Sequence, residues 1–199
     1  MVGELSASQK EVVSLLTMST ERLNLLIVKL LDYNALLQQA KPTFTEVDLN
    51  MMISDCAKQY QLLLSQNQQT LLIRVEPLHK IVSDPELLRR ALDNLVSNAI
   101  AHGNLHSQII IRASEMPKFT NIDVMNSGKA IPLAARSEIF EPFRRGESVR
   151  NDKVVGAGLG LSIVSDCARL LGGNVRIVDD KHADVCFRIR LPKRELNAK

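Results

Sequence analysis

Residues 84–103 read DPELLRRALDNLVSNAIAHG. An Asp followed by Pro is a strong helix start: the carboxylate caps the first turn, and Pro tolerates the first helical position. The spacing predicts a helix from Pro85 to about Ala101, ending near Gly103. Leu88, Leu92, Leu95 and Ala99 share one face of it. Arg90, Asn94, Asn98 and His102 recur every four residues and form a polar row that drifts slowly around the axis. Asn is a poor helix former, and neutral amides are poor solubilising groups. Two of them in one row leave two readings open. One is a solvated helix face. The other is a ligand site in which an amide oxygen serves as a hard neutral ligand for Mg²⁺, whose remaining ligands are waters and phosphates.

Working outward, 108–113 and 121–125 read as strands, and 132–139 as a short helix. Residues 141–157 lack periodicity, carry four basic residues and read as a mobile loop. A helix over 159–171 stops at Gly172-Gly173, and strands at 174–178 and 185–191 finish the chain. Toward the N-terminus, 79–82 and 70–76 (TLLIRVE) read as strands, 50–66 as a helix, and the alternation over 44–49 as a short strand. Three main helices and about six strands predict an α+β fold: a two-layer sandwich whose mixed sheet is covered on one face by helices.

Ahead of the Lys41-Pro42 break, one uninterrupted helix is predicted from Ser6 to about Ala40. Val13, Leu16, Leu23, Ile27, Leu30 and Leu37 fall at heptad spacing, with Thr20 and Asn34 between. Leu25, Leu26, Val28, Leu31 and Tyr33 widen this seam into a broad arc. Such an arc is buried on more than one side, as in a bundle. No second helix of that length adjoins it, so its partner is another copy or sequence beyond this chain. The organisation is therefore 1–42 as a helical appendage and 43–199 as the sandwich domain.

With 199 residues the chain buries roughly 70% of its unfolded surface and needs no covalent staples. Hydrophobic residues at 45% and charged residues at 24% exclude a disordered chain. A net charge of +3, 4% aromatics and no Trp argue against a nucleic-acid partner. Cys56, Cys167 and Cys186 have no metal-binding spacing and read as buried free thiols of a reducing cytosol. No segment approaches the ~20 apolar residues of a membrane span, and the N-terminus does not read as a signal peptide.

Three more constellations follow the asparagine helix. Asn126-Ser127-Gly128 ends a strand on a turn. It is either a plain turn or a rim that reads a planar ligand. Phe140 and Phe143, three apart before Arg144-Arg145, can anchor one end of a loop in the core, leaving the arginines to solvent or an anion. Gly156-Ala157-Gly158-Leu159-Gly160-Leu161 leads into a helix. Its alternating glycines serve either as a hinge or as a cradle whose N–H groups approach a polyphosphate at a helix N-terminus.

Taken in order, these four boxes resemble the catalytic ATP-binding domain of bacterial sensor histidine kinases, within the superfamily shared with gyrase, the Hsp90 chaperones and the MutL proteins. STERLNLLIVKLLDYNALLQQAKPTFTEVDL, 19–49, is similar to the second helix of the kinase dimerisation hairpin and its junction with the ATP domain. The resemblance runs from about Leu5 to Pro192. It implies ATP and Mg²⁺ as cofactors under a mobile lid. Asn98 would be the Mg²⁺ ligand, Asn94 would sit beside the phosphates, and His102 near ribose or phosphate. Asn126 would read adenine, with Gly128 forming the turn behind it. Phe140 and Phe143 would anchor the lid, Arg145 would approach the γ-phosphate, and Gly156, Gly158, Gly160 and Leu161 would close on the phosphates. Asn94 and Arg145 are the residues expected to act in catalysis.

The chain departs from the family pattern in four places. Asn126 stands where the family has Asp, Ala130 where it has the second Gly of that box, Ala101 where a basic residue is common, and Asp184-Val185 where a Gly-Thr pair is usual. None of His79, His102, His106 and His182 has the context of a phosphoacceptor. The resemblance therefore implies the ATP-binding part of a cytoplasmic kinase region, unable to phosphorylate itself. It would form a homodimer through the N-terminal helix and have a response regulator receiver domain as partner. Its membrane contact would run only through upstream segments. Two alternatives are a degenerate nucleotide-sensing or dimerisation module, and an anti-sigma-type serine kinase, although the latter lack the long leading helix.

Overall fold

The structure is a computed structural model that describes residues 6–38, 41–75, 80–144 and 158–195. Helix α1 spans Ala7–Gln38. Strand β1 (Thr45–Asp48), α2 (Leu49–Gln59), α3 (Gln61–Gln66), β2 (Thr70–Val75) and β3 (Lys80–Ser83) precede α4, Pro85–His102. Strands β4 (Gln108–Glu115) and β5 (Phe119–Asn126) follow, then two 3₁₀ turns at Leu133–Ala135 and Glu138–Phe140. Helix α5 (Gly160–Leu170) and strands β6 (Asn174–Ile177) and β7 (Val185–Pro192) complete the described chain.

Five strands form the main sheet in the order β2-β4-β5-β7-β6. Only β2 and β4 run parallel, joined through α4 as the crossover. The other neighbours are antiparallel. Period-two alternation sends Ile109, Ile111, Ile122, Val124, Phe187 and Ile189 to one face, where they share a core with Leu88, Leu92 and Leu95 of α4, Ile53 of α2 and Val164 of α5. Each large apolar side chain taken fully out of water there contributes roughly 1.5–3 kcal/mol. The sandwich is therefore the one expected, with helices α2, α4 and α5 over one sheet face.

Some boundaries differ from expectation. The single helix predicted over 50–66 is two helices, broken at Tyr60 (φ −95°, ψ 4°). The Tyr60 hydroxyl donates to the Asp93 carbonyl at 3.2 Å, so a tertiary bond holds the break. The Cys56 thiol donates to Asp93 Oδ1 at 3.2 Å from the same side. Residues 132–139 form two 3₁₀ turns rather than a helix. Strands β1 and β3 pair with each other in a separate ribbon instead of joining the main sheet. All three cysteines are free and buried, and burial pushes each thiol above its ordinary pKa.

Helix α1 leaves most of its apolar arc in solvent: Leu16, Leu23, Ile27 and Leu31 are all exposed. It touches α5 near its C-terminal end. There Tyr33 packs on the core. Burial first, and then the neighbouring Asp166 carboxylate, raise the pKa of its phenol.

Asp84 fixes the start of α4. Its Oδ1 accepts from the N–H groups of Glu86 and Leu87, both at 3.0 Å. Its Oδ2 accepts from Thr43 N at 2.7 Å, tying the segment ahead of β1 to the helix start. Asp84→Ala should therefore cost about 2 kcal/mol, more than an ordinary cap. In urea titration the midpoint should fall with an unchanged slope; a midpoint within error of wild type would refute this role.

Candidate functional site

The site grows from the polar row of α4. Asn94 is half-buried, and its Nδ2 donates to the Arg90 carbonyl one turn back at 2.8 Å. That bond fixes the amide orientation, so Oδ1 is the end presented outward. Oδ1 faces the start of α5: a Cβ built on Gly160 would sit 3.2 Å from it. Gly160 thus lets α5 approach Asn94 closely. The N-cap of α5 is Leu159, which offers no capping side chain, and no acidic residue lies in the first turn. The first N–H groups of α5 are left for an outside acceptor, in the positive field of a helix N-terminus.

Asn98 lies one turn further along α4, half-buried, and His102 another turn on, exposed in the last turn. From Asn94 to His102 the row covers about 12 Å of helix axis. At its far end Gly103 caps α4 and bridges to Gly128. A Cβ on Gly128 would lie 2.7 Å from the His102 carbonyl oxygen, so this approach of β5 to α4 requires glycine. Asn126 ends β5 on the core-facing side, buried, opposite Ile109 and Val185. Its Nδ2 donates to the neighbouring Ser127 carbonyl at 3.3 Å.

Phe140 and Phe143 part company. Phe140 packs edge-on against Phe187, centroids 6.2 Å apart, and joins the core. Phe143 does not anchor in the core: its side chain is 65% exposed. Its backbone does the holding instead. Phe143 sits at φ 62°, and its N–H donates to the Gly158 carbonyl at 2.9 Å. Gly158 has φ 69°, and a Cβ there would meet the Phe143 and Arg144 backbone at 2.9 Å. Residues 143 and 158 are thus a closed neck. Arg144 is exposed to solvent as expected, and it also pairs with the exposed Glu141 and Glu138. Arg145, Gly156 and most of the loop expected over 141–157 lie outside the described residues, as does His79. Leu161 packs against the core behind Gly160.

The structure therefore brings Asn94 to Gly160 along one flank of α4, and Asn126 and Gly128 to its C-terminal end. Sequence reasoning missed two residues that hold this rim. Asp184 Oδ2 accepts from the Gly128 N–H at 3.0 Å. Its only sequence signal was that it replaced an expected glycine. Buried Gln69, just ahead of β2, donates through Nε2 to the carbonyls of Ile100 and Asn104, gripping the end of α4. Arg136 ties the 3₁₀ turns to the β6–β7 loop through Asp179 at 2.7 Å. Among the described residues no cluster of three His, Cys, Asp or Glu could hold a metal by itself. A cation here would take amide oxygens and the oxygens of its own ligand. Among the described residues, no helix is long and apolar enough to cross a membrane.

Residues 83–195 match the model of the histidine kinase-, DNA gyrase B- and HSP90-like ATPases. Sensor histidine kinase GlrK of Escherichia coli strain K12 is 38% identical over 96% of the chain, which covers 40% of that relative. A probable sensor histidine kinase of Mycobacterium tuberculosis, TcrY, is 29% identical over 96% of the chain and 40% of its own length. The chain thus spans about 40% of these curated relatives. Full-length ShkA in complex with AMPPNP superposes with a TM-score of 0.77 at 26% identity, over 98% of this chain and 41% of that one. Histidine kinase ThkA in complex with response regulator TrrA superposes with a TM-score of 0.75 over 97% of this chain and 53% of that one, at 22% identity.

Proposed function

The chain belongs to the histidine kinase-, DNA gyrase B- and HSP90-like ATPase family, and from that we propose that it is the ATP-binding catalytic part of a sensor histidine kinase. One observation carries this reading: the Asn94 amide oxygen and the uncapped start of α5 converge at Gly160, at one end of a polar row whose other end is the Asn126–Gly128 rim. An elongated ligand with a planar head and an anionic tail fits that arrangement. The adenine lies at Asn126, held up by the Gly128 turn. The triphosphate runs along α4 past His102 toward the N–H groups of Gly160 and Leu161. Asn98, between the two ends, gives its oxygen to Mg²⁺, and Asn94 stands beside the phosphates. When bound, Mg²⁺ neutralises charge on the transferring phosphoryl group. The residues orient the nucleotide and exclude water, and Arg145 and Gly156 would approach from the segment beyond the Phe143–Gly158 neck. The domain division at residue 42 belongs to this reading, with Asp84 and Thr43 at the junction.

The donor set fits the metal. A single neutral oxygen suits Mg²⁺, which keeps several waters and phosphate oxygens, better than a metal that needs an all-protein cage. ATP should bind more tightly with Mg²⁺ than without. Asn98→Ala should abolish that difference while leaving thermal unfolding unchanged, because the apolar face of α4 is untouched. Calorimetry showing the same Mg²⁺ dependence in the variant would dismiss the assignment.

A protein acceptor is also part of the proposal. Among the described residues, His102, His106 and His182 lie outside α1. The phosphorylated histidine would then come from a dimerisation helix that pairs with the exposed arc of α1 in a homodimer, and a response regulator would take the phosphoryl group onward. The purified chain with labelled ATP should form no acid-labile phosphohistidine. A histidine-bearing dimerisation helix added in trans should become labelled. A labelled band from the chain alone would overturn this.

Asn126 bears on base selectivity. An Asp there would only accept, matching the adenine amine and repelling a guanine carbonyl. The Asn amide accepts through one atom and donates through another, so it also suits guanine when flipped. Loss of charge assistance is worth about 1 kcal/mol. Asn126→Asp should tighten ATP several-fold and weaken GTP, and calorimetry giving an unchanged ATP/GTP ratio would contradict it.

A further inference from the structure

The sheet face away from the helices carries one continuous cross-strand row. The registers align Arg74 of β2 with Arg112 of β4, Arg112 with Asp123 of β5, Asp123 with Arg188 of β7, and Arg188 with Arg176 of β6. Every strand of the main sheet contributes one residue, and four of the five are arginines. The row covers about 19 Å, four interstrand gaps.

Its centre is fully satisfied. Asp123 is buried, with Oδ1 accepting from Arg188 Nε at 2.7 Å. Its Oδ2 accepts from Arg112 Nη2 at 2.7 Å and from Arg188 Nη2 at 2.8 Å. Asp180 adds a second carboxylate to Arg112 at 2.8 Å. The His182 N–H first, and then Arg112, hold the Asp180 carboxyl below its ordinary pKa, so it stays charged. These contacts lock Arg112 and Arg188 in fixed forks. The ends differ. Arg74 and Arg176 are exposed, and neither has an ion-pair partner among the described residues. Each stands directly opposite another arginine, and like charges in that position destabilise a sheet. The facing Arg112 and Arg188 are matched in charge by Asp123 and Asp180, which leaves Arg74 and Arg176 as the two charges of the row with no carboxylate of their own among the described residues.

We propose that this arginine row is a docking surface for an acidic protein segment, one presenting carboxylates to Arg74 and Arg176 at its two ends, about 19 Å apart. The occupant is a different protein. Within this chain, 145–157, the longest stretch outside the described residues, holds two acidic residues against three basic ones. The composition of the face suits a protein partner more than a lipid or nucleic-acid surface. The row uses Arg and no Lys, and Arg's fork pairs carboxylates two bonds at a time. Ser114, Asn121, Arg190 and Asn174 form the next row, with Arg190 stacked over exposed Phe119 at 5.3 Å. Arginine, an aromatic and neutral polar groups are enriched where proteins meet, and lysine is depleted. On the other side, Ile110, Met125 and Cys186 are buried among Leu72, Val178 and Ala183, so this flank is not an open apolar patch.

The test uses fluorescence anisotropy with the full chain at physiological salt. The probe is a labelled 14-residue helical peptide with Glu along one face; its Gln counterpart and phosphatidylserine vesicles are the comparisons. The Glu peptide should bind, the Gln peptide and vesicles should not, and R74Q/R176Q should weaken binding roughly tenfold. The same variant should unfold at an equal or higher temperature, because Arg74 and Arg176 are exposed and make no ion pair among the described residues. Failure of the Glu peptide to bind, equal binding by the variant, loss of stability in the variant, or capture of vesicles by the same arginines would each overturn the proposal. The test involves no nucleotide, so its result stands apart from the ATP reading.

Discussion

Leu88, Leu92 and Leu95 lie fully buried between the sheet and α5, and this packing of α4 is the constraint on which the rest depends. A helix pressed on two sides keeps one narrow flank open. In α4 that flank is the row of Asn94, Asn98 and His102. The positions are set by the core: rotating α4 by one residue would turn about 100° of helix and bury the amides. Asp84 fixes where the helix begins, and Gln69 and the Gly103–Gly128 bridge fix where it ends. The polar row is thus clamped at both ends as well as along its back.

The same clamp orients the groups. Because Asn94 Nδ2 is bound to the Arg90 carbonyl, its oxygen points toward α5. Because Gly160 lacks a side chain, that oxygen meets the helix start directly. An acceptor and a set of free N–H groups at one point favour a ligand that brings both a cation and an anion. Neither group requires a shifted pKa, so binding there would be governed by the ligand's own charge state and by magnesium.

Much of this was legible because it is local. Asp-Pro, the leucine period and the four-residue polar row are contained within residues 84–103, and the structure reproduces the helix to within a residue. The strands were legible by alternation, but their partners were not. Alternation says that one face is buried, not against what, so the separate β1–β3 ribbon could not be foreseen. The break at Tyr60 depends on Asp93, 33 residues away. Phe143 illustrates a different failure: an aromatic beside an arginine pair suggested a buried anchor, yet its left-handed backbone holds the neck and its ring faces solvent. Asp184 was visible only as an odd residue in a familiar pattern, and its bond to Gly128 appears once two distant turns meet.

The arginine row shows why register carries information that composition does not. The net charge of +3 looked too small to announce a partner, and the whole-chain figure is an average. Five strands in one register collect four arginines onto a single line, around one buried aspartate. A buried charge must be matched, and Asp123 with Asp180 accounts for Arg112 and Arg188. Neither Asp123 nor Asp180 accounts for Arg74 and Arg176, which stand at the two exposed ends of the row. A charge aligned with a built row but unused by it, at a place where its side chain is exposed, is more economically explained by an interaction outside the fold than by the fold itself. The exposed arc of α1 poses the same problem with apolar groups instead of charges. The two surfaces lie on different elements and require opposite chemistry, so one partner surface could not satisfy both.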